Sequence, residues 1–407
     1  MRSFATSERP VARALSRTLA RVSSRSRARQ LIRVFIRMGA SPSAIVEHVR
    51  HSPNFRDGRF RLDEPSQRPR VAVQFSAALA ALHDHKRGRA AGPIPIVKPQ
   101  LPEQPGELAV TWYGHATTLL ELDGRRFLLD PVFGERVSPL RGRGPRRMHP
   151  VPGEIEELPP LDAVVISHDH YDHLDHDSVM RLERSHRPQY IVPLGVDLHL
   201  LAWGVAPERI SALDWREAID VEGIRLTCTE ARHNSGRGLV ESVSLFAGWA
   251  FHGPSHSAWF TGDSGTSKRF AHIGADLGPF DLTLVPIGAY DDFWPDIHMN
   301  PEQAVAAHCD VNPGGAEAAV GNTPRAALAT ARRSVMLPVH WATFNLAMHW
   351  WSEPIRRALR AARAVDVPVI TPKVGERVDV AAGDPASVAQ QFSEPWWLAA
   401  AGPEDHD

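Results

Sequence analysis

A mixed α/β fold is what this 407-residue sequence predicts, on three observations. Short apolar runs of strand length recur along the chain, each stopping in a polar loop, as Val164-Val165-Ile166 stops at Ser167. Between about positions 163 and 214 such runs alternate with helix-compatible segments, the βαβ pattern of a parallel sheet. Several of the runs end in His or Asp instead of ordinary turn residues.

Composition bounds the rest. The length suffices for a large core, and by itself would allow two or three domains. Basic and acidic residues number 46 and 47, a net charge of −1. The balance is uneven, because residues 1–40 hold ten Arg and one acid, Glu8, so that segment carries +9 and the remainder about −10. Such asymmetry suggests an arm that touches something anionic. Cys228 and Cys309 are too few for a disulfide framework and fit a reducing, cytoplasmic setting. No apolar run is long enough to span a bilayer. The start lacks the apolar region of a secretory signal, although an Arg-rich, acid-poor start also resembles an organellar transit peptide.

In chain order, residues 1–40 form a basic arm in which Arg recurs at every fourth position from Arg9 to Arg37. Against a 3.6-residue helix that period drifts by about 40° per step, so the side chains wind around the axis instead of forming one basic face. Leu31 to Ile36 is apolar enough to dock on a protein or, peripherally, on an anionic membrane; the other reading is a solvated tail. Residues 41–104 are a Pro-rich lead-in expected to wrap more than it packs, with a turn-rich piece at Ser52–Phe60 and a helix-compatible patch at Val71–Leu82. The core domain is placed at 105–380. A tail at 381–407 carries Trp396 and Trp397, which either pack back on the domain or sit at an interface.

Within the core, Leu108–Trp112, Thr117–Leu122 and Arg126–Leu129 read as strands, the last two joined by an Asp123-Gly124 hairpin turn. His115 and Asp130 punctuate them. Each is a metal ligand or, more economically, a group that hydrogen-bonds a ligand imidazole and fixes its tautomer. Ser138–Arg147 is a basic loop broken by Gly and Pro, equally a phosphate contact and a solvated turn. Asp177–Glu183 and Val196–Trp203 fit helices around a Tyr190–Pro193 strand, and Ile210 begins another strand. Ile224–Glu230 alternates as a strand, and Ala258–Phe260, Leu282–Val285 and Ser334–Val339 are further strand-like runs. Asn300-Pro301 supplies a cap and a first helical residue. Residues 311–333 read as an inserted loop, Ile355–Ala364 as a helix, and Pro368–Pro372 as a closing strand.

The densest chemistry lies in His168-Asp169-His170-Tyr171-Asp172-His173, an H-x-H-x-D-H pattern at a strand end. Imidazoles are the commonest ligands for borderline metals, and carboxylates complete such shells. So short a loop cannot aim four donors at one tetrahedral ion. His168 and His170 are therefore assigned to one cation, and Asp172 with His173 to a neighbour about 3.5–4 Å away. Other strand ends supply the remainder: His233 to the first ion, His340 to the second, and Asp263, after Gly262, as the bridge between them. Arg237 is a candidate anion contact beside His233. A solvated His/Asp loop without metal is the plain alternative.

The H-x-H-x-D-H loop resembles the metallo-β-lactamase superfamily. Thr111–Thr117, Leu129-Asp130-Pro131, Ile166–Asp175, Phe260–Asp263, Gly278–Leu282 with Pro286–Tyr290, and His340–Phe344, in that order, closely resemble the N-acylphosphatidylethanolamine-hydrolysing phospholipase D family. Ascorbate-6-phosphate lactonases are a more distant resemblance. The resemblance implies a four-layer αββα sandwich and two zinc ions, with Mn2+ or iron as alternatives. It implies the ligand set His168, His170, His233 and Asp172, His173, His340, with Asp263 between. His298 falls where the family has a histidine near the substrate. Asp172, Asp263 and His298 are thus the expected catalytic residues. The 311–333 insertion and the Arg-rich start depart from the family pattern.

The function expected is hydrolysis of a phosphodiester, of an N-acylphosphatidylethanolamine-like phospholipid, by a metal-bridging hydroxide. Three rivals stand beside it: a lactonase or other ester hydrolase of the same fold, a non-hydrolytic di-iron redox protein, and a nucleic-acid binder working through the arm. Nucleic acid is the less favoured partner, and a homodimer is compatible with the sequence.

Overall fold

The computed structural model describes residues 34–65, 86–140, 142–313 and 334–403. Most of the basic arm, the Val71–Leu82 patch and most of the 311–333 insertion lie outside the described residues.

The lead-in does more than wrap. Helix α1 (Pro42–Val49) is capped by Ser41, whose hydroxyl accepts from Ala44 N at 3.3 Å, and Pro42 occupies the first turn. Its Ile45 and Val49 enter the main core. Strands β1 (Phe55–Arg56) and β2 (Arg59–Phe60) form a hairpin over Asp57-Gly58, both at positive φ as a tight two-residue turn requires. Phe60 is buried in the same core.

Then β3 (Leu108–Gly114), β4 (Thr117–Leu122) and β5 (Arg125–Leu129) run antiparallel. They continue into parallel β6 (Ala163–Val165), β7 (Gln189–Pro193) and β8 (Ile210–Leu213), connected through α2 (His176–Ser185) and α3 (Asp197–Ala202). The second sheet takes β9 (Ala218–Val221), β10 (Ile224–Glu230), β11 (Ala247–His252) and β12 (Ser257–Phe260) antiparallel. Next come α4 (Arg269–Leu277), β13 (Leu282–Pro286), α5 (Pro301–Asp310) and β14 (Val335–Val339), with β13 pairing parallel to β12 and β14 parallel to β13. Helix α6 (Glu353–Ala364), strand β15 (Arg377–Asp379) and helix α7 (Pro385–Gln391) follow. The two sheets order as β15-β3-β4-β5-β6-β7-β8 and β14-β13-β12-β11-β10-β9.

Side-chain alternation explains the layers. Leu120, Phe127, Leu129, Val165 and Ile191 share one core with Leu226, Trp249, Phe260 and Leu284 of the other sheet. Their sequence neighbours Leu119, Leu128, Val164, Tyr190 and Val192 face the opposite way, against Val179 and Leu182 of α2 and Leu200 of α3. With α4, α5 and α6 over the second sheet, the architecture is the expected αββα sandwich.

Two local expectations change. Pro368–Pro372 forms no strand; Val369 makes a lone bridge to Met336, since prolines at both ends of the run lack the N–H a ladder needs. Strand β11 escaped notice because Gly248 weakens its strand signal. A Cβ there would lie 2.7 Å from Thr229 Oγ1 and 2.9 Å from Phe260 O, so the sheet admits no side chain at that point.

The tail resolves inward. Trp396 and Trp397 are buried, and Trp396 stacks on Trp341, the residue after His340, with ring centroids 5.3 Å apart.

Candidate metal centre

Parallel pairing aligns the carboxyl ends of strands. Leu129 is level with Val165 across β5 and β6, and Pro286 with Val339 across β13 and β14. Strand β10, antiparallel to β11, which is antiparallel to β12, ends at the same edge as β12. The loops after β5, β6, β10, β12 and β14 therefore share one rim, the usual place for a site in such sheets. They carry Asp130, the His168–His173 loop, His233, Asp263 and His340.

All seven residues expected as ligands converge there. Nitrogen and oxygen atoms of His168, His170 and His233 lie within 4.8 Å of one another, as do those of Asp172, His173 and His340 with His115, and those of His168, His173 and Asp263. Asp263 Oδ2 stands 3.1 Å from His173 Nε2, 3.1 Å from His340 Nε2 and 3.8 Å from His233 Nε2. The carboxylate is thus placed between the two groups.

The hydrogen bonds set the tautomers. His173 Nδ1 bonds Asp130 Oδ2 at 2.6 Å, and His233 Nδ1 bonds the Ile297 carbonyl at 2.7 Å. Ser167 Oγ donates to Asp130 at 2.6 Å and accepts from His168 Nδ1–H at 2.9 Å. In each ring the Nε2 lone pair is left facing the centre. The Nε2 atoms of His173 and His340 are buried and have no hydrogen-bond partner. Lone pairs and carboxylates crowding one buried point repel unless cations lie between them, so this donor set fits divalent metal.

The electrostatics agree. Burial alone would lower the His340 imidazole, yet Asp263 and Asp172 lift it to about 9. Burial likewise opposes the rise at His173, where Asp263, Asp172 and Asp130 prevail. A field that holds a proton on a buried imidazole also attracts a metal ion.

The backbone is bent to reach these positions. His115, Asp130 and His340 have φ of 54°, 39° and 62°, a left-handed region costing about 1–3 kcal/mol for each such residue. At Gly262 the φ is 61° and a Cβ would meet Ala247 O at 2.5 Å, so Asp263 depends on glycine before it.

His115 and Asp130 stand at the edge of the cluster. His115 Nε2 lies 2.9 Å from Asp172 Oδ2, and its N–H donates to Thr343 Oγ1 at 2.7 Å. His298 joins His233 and Asp263, with Nδ1 buried, unpartnered and 3.9 Å from Asp263 Oδ2. Arg237 is not presented to an anion. Its guanidinium donates to the carbonyls of Asp169 at 2.7 Å, Leu174 at 2.8 Å and Arg37 at 2.7 Å, and it stacks on Tyr171. Arg147 of the basic loop is likewise buried against backbone carbonyls and the Phe344 ring.

Sequence reading missed Asp169, which sits among the candidate ligands and outside every donor group. Its carboxylate accepts from Gly236 N at 2.6 Å and Ser244 Oγ at 2.6 Å and faces His199 Nε2 at 3.2 Å, tying the loop to the strand-end segment that carries His233. No local pattern announces such partners, which lie 67, 75 and 30 positions away.

Comparison with known proteins agrees with this geometry. Residues 125–320 match the model of the beta-lactamase superfamily domain. An uncharacterized protein of Mycobacterium tuberculosis is 45% identical over 88% of this chain and 91% of its own length. An N-acyl-phosphatidylethanolamine-hydrolyzing phospholipase D of Caenorhabditis elegans is 36% identical over 61% of this chain and 67% of its own length. A metal-dependent hydrolase of Methanosarcina barkeri is 27% identical over 67% of this chain and 98% of its own length. Fold and donor set define a metal-dependent hydrolase of the metallo-β-lactamase fold. Within that superfamily, the chain belongs to the family of N-acylphosphatidylethanolamine-hydrolysing phospholipase D-like proteins.

Proposed function

We propose that this enzyme hydrolyses the phosphodiester of an N-acylphosphatidylethanolamine-like phospholipid. The observation that carries the reading is the convergence of seven donors in two groups joined by Asp263. His168, His170 and His233 would hold one ion, and Asp172, His173 and His340 the other. When bound, two such cations supply an activated water at neutral pH and positive charge for the phosphoryl oxygens. Asp130, Ser167 and the Ile297 carbonyl keep the imidazoles in the ligating tautomer. His298, with Nδ1 open toward the centre, is assigned to the substrate side.

The rim supports a lipid-like substrate. Leu239, Val240, Phe293 and Met348 are exposed on the loops carrying or following His233, His298 and His340, and Leu140 on the loop after Asp130. Single exposed apolar residues need no explanation, but apolar side chains left exposed on the loops that carry a site suit contact with a lipid surface. Phe35 and Ile36 add to them from the segment whose carbonyls bind Arg237 and Trp203. Among the described residues no helix is long and apolar enough to cross a membrane.

Metal quantification together with a hydrolysis panel tests the reading. About two equivalents of metal and turnover of N-acylphosphatidylethanolamine in vesicles above that of a soluble phosphodiester or a lactone are expected. Lactone turnover without phosphodiester turnover would overturn it.

A further inference from the structure

A cavity of about 660 Å³ lies beside the metal centre and shares none of its seven proposed ligands. His149 stands in its wall. That residue is linked to the centre through Thr343, whose Oγ1 is 3.0 Å from His149 Nε2 and accepts from the His115 backbone N–H at 2.7 Å.

The lining is one-sided in charge. Arg89, Arg136, Arg146 and Arg147 face it, and Glu135 is the one carboxylate among the described lining residues. Glu135 pairs with Arg146 Nε at 2.7 Å. Arg136 donates instead to the Gly144 carbonyl at 2.7 Å, and Arg147 to the carbonyls of Val132, Tyr113 and Gly134. A carbonyl satisfies a donor without cancelling its charge. Burial accordingly draws Arg147 down to about 10. Phe133 and Val151 make part of the wall apolar, which strengthens the field within it.

We propose that this cavity is a phosphate-binding site, separate from the metal centre, which takes inorganic phosphate or the phosphate of a small monoester. Guanidinium groups match oxyanions through paired N–H donors, and Arg136 and Arg146 stand opposite each other on the two bridged sides of one loop. The proposal does not depend on which ester the metals cleave.

Calorimetric titration of the full metal-loaded chain with inorganic phosphate, and separately with glycerol phosphate, tests it. A dinuclear centre also binds phosphate, so the same titration is run on His340→Ala. One binding event is expected to survive in His340→Ala and to weaken at least about tenfold, ~1.4 kcal/mol, in Arg136→Ala/Arg146→Ala. Arg136→Lys keeps the charge and loses the paired geometry, and should weaken binding if the double variant does not fold. Tighter binding of glycerol phosphate would assign the site to a monoester, and equal binding to the free ion. Absence of a second event in the wild type, its loss in His340→Ala, or unchanged affinity in the arginine variants would overturn the proposal.

Discussion

Asp130 and His173 face each other with no solvent exposure, carboxylate to imidazole at 2.6 Å. The contact leaves His173 Nε2 as a lone pair aimed at Asp263. Asp130→Ala should therefore lower metal affinity by roughly 10–100-fold, the usual cost of losing such a partner. Competition with a chromophoric chelator measures it, and wild-type affinity in the variant would contradict the assignment.

Asp172 and Asp263 are the two carboxylates at the centre. Asp172→Asn is expected to abolish hydrolysis while the circular dichroism spectrum stays native. Asp263→Asn should lose activity and, lacking the group between the two sets, at least one equivalent of metal. An active Asp172→Asn enzyme would refute the site.

Glu121 is buried in β4 and accepts from Arg377 Nε at 2.9 Å and Nη2 at 3.0 Å, reaching across β3 from the edge strand β15. Burial raises its pKa, but Arg377 and the Gly106 N–H outweigh that and hold it below the ordinary 4.5. A carboxylate depressed in the folded state contributes stability above its unfolded pKa, which fades as pH falls through the folded value. Glu121→Gln should thus be clearly less stable than wild type at pH 7, and the gap should narrow below about pH 4.5. Denaturant midpoints across that range decide it; a gap that widens on acidification would be wrong in sign.

Trp396 is 3% exposed and packs on Trp341 and Trp112. Trp396→Ala should destabilise the fold by about 3–5 kcal/mol, as emptying a large aromatic site does. A change under about 1 kcal/mol in chemical denaturation would show the tail to be dispensable.

Leu239 projects fully from the loop after His233, and Phe293 is half exposed on the loop bearing His298. Leu239→Asp with Phe293→Asp is expected to reduce hydrolysis of phospholipid in vesicles several-fold while sparing a soluble phosphodiester. Equal losses on both substrates would mean that these loops serve catalysis generally and not contact with a lipid surface.

Much of the candidate site was legible because residues of ligand type stand out at strand ends. His168, His170, Asp172 and His173 are adjacent in sequence, and His233, Asp263 and His340 each follow an apolar strand whose end must meet a sheet edge. Arg237 was misread for the converse reason: a guanidinium near a site looks the same in sequence whether it faces an anion or three backbone carbonyls.

By itself the sequence pointed to a mixed α/β chain, through strand-length apolar runs, and to seven candidate donors, through their positions after strands, while the αββα layering was implied by the family resemblance. Only the tertiary structure decided which donors stand together, which ring nitrogen each presents, that Asp169 anchors the loop, and that the basic loop lines one side of a cavity. Strand periodicity is a local property of the chain. A hydrogen bond such as His115 to Thr343, 228 positions apart, is set by where two sheets bring their ends.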